Sequence, residues 1–445
     1  MNKLRTGDTA RLESSGEIVH VGKQLAEGGQ GAVYLAELNG QQFALKWYEP
    51  LRNARMAEQF AANITRLIAR GKPQHRAFVW PIDMVVCPER DGFGYVMPLM
   101  DPKFRSFAQL LKASEVPGFW TLIQIGINLV DAFAVLHTSG LCYRDISFGN
   151  VYVDPDSGDV AVIDNDNVGP NGGESTVLGT AQFMAPEVIR GERPPSIESD
   201  LYSLAIFLFF LFCFGHPLEG EAVEASYSWE DDKRLTEPEI LLKHYGREPI
   251  FIFDPVNDAN RPLQNAPARN WWGIYPQFFR NLFIRSFTTG LTDSSLTGRL
   301  AEGMWRRGLY RLRDCIWQCG NCGASIFHDP DDAGYRCWSC GTIPRPPLLL
   351  VTPGHALVLT TGAILTGRHL KWPEAADQVL AEVEADPRYP GALLRNRTEE
   401  IWTVNPVGEE TKEVKPGHRL LARPMAIELA GKQAVIRYAP GGEGR

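Results

Sequence analysis

Seven short segments follow one another between Leu25 and Leu204 of this chain, each built on a glycine, a lysine or a carboxylate at the edge of an apolar run. In order they are Leu25-Ala26-Glu27-Gly28-Gly29-Gln30-Gly31-Ala32-Val33, Ala44-Leu45-Lys46, Tyr143-Arg144-Asp145 through Asn150, Val162-Ile163-Asp164-Asn165-Asp166, Gly179-Thr180, Ala185-Pro186-Glu187 and Ser199-Asp200-Leu201. Taken singly, each has a plain structural reading as a hairpin glycine or an Asp-capped turn. Taken together and in this order, they demand a fold that gathers polar side chains from distant positions.

The apolar pattern around them divides the chain. About the first 100 residues alternate short apolar runs with Gly and Asn turns, among them Asn39-Gly40, and read as a hairpin-rich sheet. Met56, Phe60, Ile64, Leu67 and Ile68 recur at three- and four-residue steps, which marks one amphipathic helix between Asn53 and Arg70. Phe119–His137 and Asp200–Phe214 read as helices. The second is almost wholly apolar and therefore a core helix; its stretch Leu204–Phe214 is shorter than the about 20 residues that cross a bilayer. Residues 217–280 mix charge, Pro, Asn and Trp without a period, and helical spacing resumes near Phe283 and over Arg299–Asp314.

Glycines between two strands let a backbone without Cβ approach phosphate oxygens and donate N–H groups to them; a simple hairpin uses glycine equally well. Lys46 follows at strand spacing, where its ammonium can reach the phosphates of a nucleotide under the loop. With this pair, the segment resembles the small lobe of protein kinases. Gly28 and Gly31 match the second and third glycines of the family's loop and Ala26 stands for the first, so Ala26, Gly28, Gly31, Val33 and Lys46 are the expected ATP contacts. The helical glutamate that pairs with the lysine in this family falls on Glu58 or Asn63. The two lie about 140° apart around a helix and cannot occupy the same place, and the acidic Glu58 is favoured.

Tyr143 through Asn150 resembles the family's catalytic loop, which implies Asp145 as the base for an acceptor hydroxyl and Asn150 as a ligand of Mg²⁺. Asp164 stands where the family's second Mg²⁺ ligand is expected. Glu187 and Arg299 are expected to form an ion pair, Asp200 to serve structurally, and Thr180 to position Asp145. Arg144 implies control by a phosphorylated residue of the segment Asp164–Glu187, with Ser175 or Thr176 as the site. The chain departs from the family pattern at Tyr143 for the usual His, at Ser147 for a phosphate-contacting Lys, and at Asn165 and Asp166 for the Phe and Gly of the Asp-Phe-Gly triplet.

Cys319-Gly320-Asn321-Cys322 and Cys337-Trp338-Ser339-Cys340 are paired knuckles that suit four thiolates around a structural Zn²⁺ with no open position. Cys87, Cys142, Cys213 and Cys315 read as free thiols. No apolar run near Met1 resembles a secretory signal, so the expected location is cytoplasmic, where metal ligation is favoured over disulfides. A formal net charge of −8 argues against a broad nucleic-acid surface, and Arg336 and Arg345 beside the ribbon are thin support for one. Beyond the hinge Pro344-Arg345-Pro346-Pro347, short strands separated by turns suggest a sandwich. Within it, Arg395-Asn396-Arg397-Thr398 ahead of Trp402 resembles forkhead-associated phosphopeptide modules, with a turn of a plain sandwich as the other reading.

The expected architecture is α+β: a bilobal kinase fold over residues 1–315 (small lobe about 1–98, large lobe about 99–315), a zinc ribbon over 316–345 and a β-rich module over 348–440. The expected function is ATP- and Mg²⁺-dependent phosphoryl transfer to Ser/Thr of proteins, autophosphorylation included. The alternatives are a nucleotide-binding pseudokinase scaffold and a zinc-ribbon nucleic-acid binder. The motif set is similar to bacterial kinases of signalling or stress systems encoded beside a von Willebrand type A protein and a metal-dependent phosphatase. That resemblance implies those two proteins as partners beside the protein substrates, and no membrane.

Overall fold

The computed structural model describes residues 3–28, 31–50, 54–112, 116–173, 178–227, 235–329, 336–429 and 431–440. Six antiparallel strands open the chain: β1 (Thr9–Leu12), β2 (Ile18–Gly28), β3 (Gly31–Leu38), β4 (Gln41–Tyr48), β5 (Asp83–Val86) and β6 (Phe93–Pro98). They run in the order β1-β2-β3-β4-β6-β5, and pairing of Arg11 and Leu12 with Val86 and Val85 closes the sheet into a barrel. The expected hairpin-rich sheet thus has no free edge. Asn39 and Gly40 both take positive φ in the two-residue turn between β3 and β4, a turn whose twist matches that of its strands.

Alternation along β4 separates two cores. Leu45 and Trp47 join Val19, Val21, Tyr34, Val85 and Val96 in one cluster. Ala44 and Tyr48 face the other way and pack with Met84, Tyr95 and Met97 against Phe60, Ile64 and Ile68 of helix α1 (Ala54–Arg70). Lys46 lies between Ala44 and Tyr48, so the pleat itself turns it toward α1.

Beyond β6, two long helices supply much of the core. Phe119–Thr138 is long and apolar enough to cross a membrane, yet Leu122, Ile123, Leu129, Val130 and Phe133 are fully buried within the protein. The helix Ile197–Cys213 begins in a reciprocal cap: Ser199 N donates to Ser196 Oγ and Ser196 N to Ser199 Oγ. Its side chains are buried all round, as an apolar circumference requires. The aperiodic region and the helix that follows it pack against Phe209, with Phe251 and Phe283 edge-on at 5.7 and 5.3 Å.

Contacts divide the chain into two units: residues 1–117, 121–271 and 281–307 form one, and 118–120, 272–280 and 308–445 the other. The expected boundary lies near 315, and this division by contacts falls inside the helix Glu302–Asp314. The reason lies in the second unit's own contacts. Phe327 packs on Phe119 and Tyr275, and Asp314 hydrogen-bonds His369.

In the second unit, short strands Ile316–Gln318 and Ser325–Phe327 pair beside the cysteines. Ten strands between Leu348 and Tyr438 then form a six-stranded and a four-stranded antiparallel sheet that share one apolar core around Trp402, Leu380, Ile427 and Ile436. The Asn396 turn serves this fold. Its buried Nδ2 donates to the carbonyls of Glu400 (2.8 Å) and Val414 (3.0 Å), while Thr398 donates to its Oδ1. Arg395 and Arg397 pair with Glu384 and Glu382. These polar groups are satisfied internally, which favours the plain sandwich reading of the turn.

Candidate active site

Lys46 pairs across the sheet with Val33 on one side and Tyr95 on the other, and Val33 in turn opposes Ala26. The glycine hairpin is thus carried one strand away from the lysine. Gly28 and Gly31 face each other at its tip, with Gly29 and Gln30 outside the described residues. A Cβ on Gly31 would lie 2.3 Å from the Trp47 carbonyl, so glycine is obligatory there. At Gly28 it would meet nothing within 4 Å, and the backbone stays open to approach.

Lys46 is 4% exposed. Its Nζ lies 2.9 Å from Asp166 Oδ2 and 3.1 Å from Asp164 Oδ1. Burial alone would lower its pKa, but the Asp166 and Asp164 charges outweigh burial and raise it above the ordinary lysine value. The Tyr48 hydroxyl donates to the same Asp166 oxygen. Glu58, by contrast, is exposed, and among the described residues no ion pair joins it to Lys46. The expected Glu58 partnership is corrected: α1 turns that position to solvent and presents Asn63 instead. Asn63 Nδ2 donates to the backbone carbonyls of Asp166 (3.0 Å) and Val168 (2.9 Å).

Asp145 is held from both ends. Its Oδ1 accepts from the Thr180 backbone N–H and hydroxyl, each at 2.8 Å, and its Oδ2 accepts from Asn150 Nδ2 at 3.0 Å. Asn150 is tied to the next strand because its carbonyl accepts from Ile163 N at 2.9 Å, which sets it beside Asp164. Tyr143, in place of the usual His, reaches the same strand end with its hydroxyl donating to the Ile163 carbonyl. Asp164 and Arg144 both adopt left-handed backbone, with φ of 52° and 77°. Each such non-glycine residue costs on the order of 1–3 kcal/mol, so the surroundings must hold it.

Asp200 supplies that hold for Arg144. From the first turn of its helix, its carboxylate accepts from Tyr143 N at 2.5 Å and Arg144 N at 2.9 Å. His137 bridges it to Glu302, with Nε2 3.2 Å from Asp200 Oδ2 and Nδ1 bonded to Glu302. Burial pulls the imidazole down, but its bonds to Asp200 and Glu302 raise it to about 9. His137 and Glu302 were missed in the sequence, where a histidine near a helix end carries no signal of its partners. A folded-state pKa above the ordinary 6.5 means this bridge stabilises fully below pH about 6.5 and is lost as pH rises through about 9. The contribution is on the order of 3 kcal/mol. Urea unfolding from pH 6 to 10 should show that decline in the parent and a flatter profile in His137→Gln; equal slopes would refute the role.

Glu187 and Arg299 meet at 2.7 Å, both buried, with the guanidinium 4.7 Å from the centre of the Tyr202 ring. The Arg144 guanidinium donates to the Pro170 carbonyl at 3.2 Å and lies against Gly169, where a Cβ would come within 2.5 Å of Nη2. Its buried Nε has no partner among the described residues. Ser175 and Thr176 lie outside the described residues.

In the second unit, the sulfurs of Cys319, Cys322, Cys337 and Cys340 lie within 4.8 Å of one another and could hold a metal ion. Cys319–Cys340 and Cys322–Cys337 are 3.8 and 3.6 Å apart. Tetrahedral Zn–S bonds of about 2.3 Å place sulfurs about 3.8 Å apart, so the spacing fits. Both knuckles repeat one backbone pattern. Gly323 N donates to Cys319 O and Gly341 N to Cys337 O, each at 2.8 Å, with φ of 74° and 72° at the two glycines.

A family model described as protein kinase domain matches residues 19–250, more than half of the chain. Among curated proteins, the chain is similar to "Probable serine/threonine-protein kinase PLK" of Dictyostelium discoideum, 26% identical over 180 residues that cover 39% of this chain and 18% of that protein. It is 29% identical over 287 residues to "Dual serine/threonine and tyrosine protein kinase" of Canis lupus familiaris, covering 62% of this chain and 30% of that one. With "CBL-interacting protein kinase 4" of Oryza sativa subsp. japonica it shares 25% over 176 residues, 38% and 37% of the two chains. The matched region is thus well under half the length of each relative. With the family model and the lysine–carboxylate geometry in agreement, the chain belongs to the protein kinase domain family.

Proposed function

We propose that this chain transfers the γ-phosphoryl group of ATP, with Mg²⁺, to serine and threonine hydroxyls of proteins, itself included. The observation that carries this reading is the 3.1 Å contact between Lys46 Nζ and Asp164 Oδ1, with Asp145 held by Asn150 and Thr180. Lys46 binds and orients phosphate oxygens. Asn150 and Asp164 would hold the Mg²⁺, which neutralises phosphate charge when bound. Asp145 orients the acceptor hydroxyl and takes its proton as the new P–O bond forms and the bond to the ADP oxygen breaks.

Arg144, free of any carboxylate partner among the described residues, supports control by phosphorylation at Ser175 or Thr176. The four clustered cysteine sulfurs support a structural zinc ribbon, and cysteines spaced for metal ligation support a cytoplasmic setting. The motif resemblance supports a bacterial signalling or stress system with a von Willebrand type A protein and a metal-dependent phosphatase as partners.

The test is incubation of the full chain with labelled ATP and Mg²⁺, followed by phosphopeptide mapping, beside Asp145→Asn and Asp164→Asn. Label on Ser175 or Thr176 in the parent alone is the expected result. Equal incorporation in all three proteins would exclude the enzyme and leave a nucleotide-binding scaffold.

A further inference from the structure

We propose that Asp166 is the positioning residue for Lys46, doing from the turn after Asp164 what a carboxylate on helix α1 would otherwise do; this rests on the phosphoryl-transfer reading above. Three observations converge on it. Asp166 is fully buried, and its Oδ2 accepts from both Lys46 and the Tyr48 hydroxyl. The helix position that faces this point is Asn63, whose amide grips backbone carbonyls and leaves the ammonium alone. Glu58, the acidic residue that α1 does carry here, is exposed.

A buried ammonium needs a buried counter-charge, and a carboxylate with no solvent exposure is stable as an anion only beside such a cation. Lys46 and Asp166 meet that condition for each other. Tyr48 sits two residues beyond Lys46 on the same face of β4, its ring 5.3 Å from the ammonium, and fixes the carboxylate from the strand side.

The arrangement has a mechanistic consequence. Asp164 is the cap of the three-residue turn Asn165–Asn167, so the carboxylate proposed for the metal and the one that aims the lysine sit on one short turn. Helix α1 contributes packing and the Asn63 clamp, and among the described residues no carboxylate that pairs with Lys46. Alignment of the lysine therefore follows the Asp164 turn and does not depend on an acidic side chain of α1 swinging in.

The experiment compares kcat and KM for ATP of the full chain with Asp166→Asn, Asp166→Asn/Asn63→Glu, Tyr48→Phe, Glu58→Ala and Asp145→Asn. Asp166→Asn should lose on the order of 10²-fold in kcat/KM, as loss of one preorganised electrostatic contact does. Adding Asn63→Glu should recover at least about tenfold by returning a carboxylate from the helix side. Tyr48→Phe, which removes one hydroxyl, should raise KM for ATP several-fold with kcat nearly kept. Glu58→Ala should match the parent. Parent-like kinetics in Asp166→Asn with Asp145→Asn inactive overturns this assignment alone. Parent-like kinetics in Asp145→Asn as well overturns the catalytic reading. Should Asp166→Asn not fold, an unchanged KM in Tyr48→Phe overturns the assignment.

Discussion

Asp145→Asn is expected to slow phosphoryl transfer by about 10²–10⁴-fold, the range for loss of a positioned general base, while ATP affinity stays within a few-fold of the parent. The effect is large because both carboxylate oxygens accept hydrogen bonds: Oδ1 from Thr180 twice, Oδ2 from Asn150. An amide keeps one acceptor oxygen and puts an NH₂ group where the other was. Whichever way it flips, that NH₂ meets an N–H donor of Thr180 or Asn150, so one contact turns repulsive and the basic lone pair is lost. Lys46 and Asp164 are untouched, which is why binding and chemistry should separate. Single-turnover kinetics with ATP binding measured in parallel checks this, and a rate within twofold of the parent would remove Asp145 from the chemistry.

Chelating the metal proposed for the four cysteines should unfold the ribbon locally. Structural zinc sites of this kind carry on the order of 10–16 kcal/mol of apparent binding free energy at neutral pH. Among the described residues, the knuckles themselves have little apolar support. Their hairpin is three residues per strand, and their apolar cluster amounts to Ile326 with Trp317, Ala324 and two of the cysteines themselves. So small a core does not hold a fold unaided. The purified chain should contain about one zinc, and hydrogen exchange at Gly323 and Gly341, whose N–H groups close the two knuckles, should rise by orders of magnitude on chelation. Cys337→Ser should behave as the chelated parent does. Protection that is identical with and without chelator would show that the sulfurs cluster without holding a metal.

Much of the site was legible because local chemistry was. A glycine with no room for a Cβ at Gly31, a lysine on the α1-facing side of β4, and Asp145 five residues before Asn150 are decisions of strand and turn, written in adjacent residues. The Glu187–Arg299 pair was also readable from motif order, and it lies at 2.7 Å. Less legible were the bonds that join elements. His137 between Asp200 and Glu302 links three helices, and no spacing rule connects those residues. The division of contacts into two units was not legible for a related reason. Helix Glu302–Asp314 is continuous as a pattern, yet its last residues belong to a different set of contacts from its first.

The amino-acid order alone determined the elements and their chemical content: a hairpin-rich sheet, an amphipathic α1, an almost wholly apolar core helix, two cysteine knuckles, and acids and amides at strand ends. It could not settle which acid meets Lys46. The sequence offered Glu58 or Asn63, and the carboxylate that does meet Lys46, Asp166, depends on the rotation of a 17-residue helix against the barrel and on a turn 120 residues away. Burial decided it. A lysine withdrawn from water takes the carboxylate that packing brings within about 3 Å, and packing is a property of the assembled lobes rather than of any window of sequence.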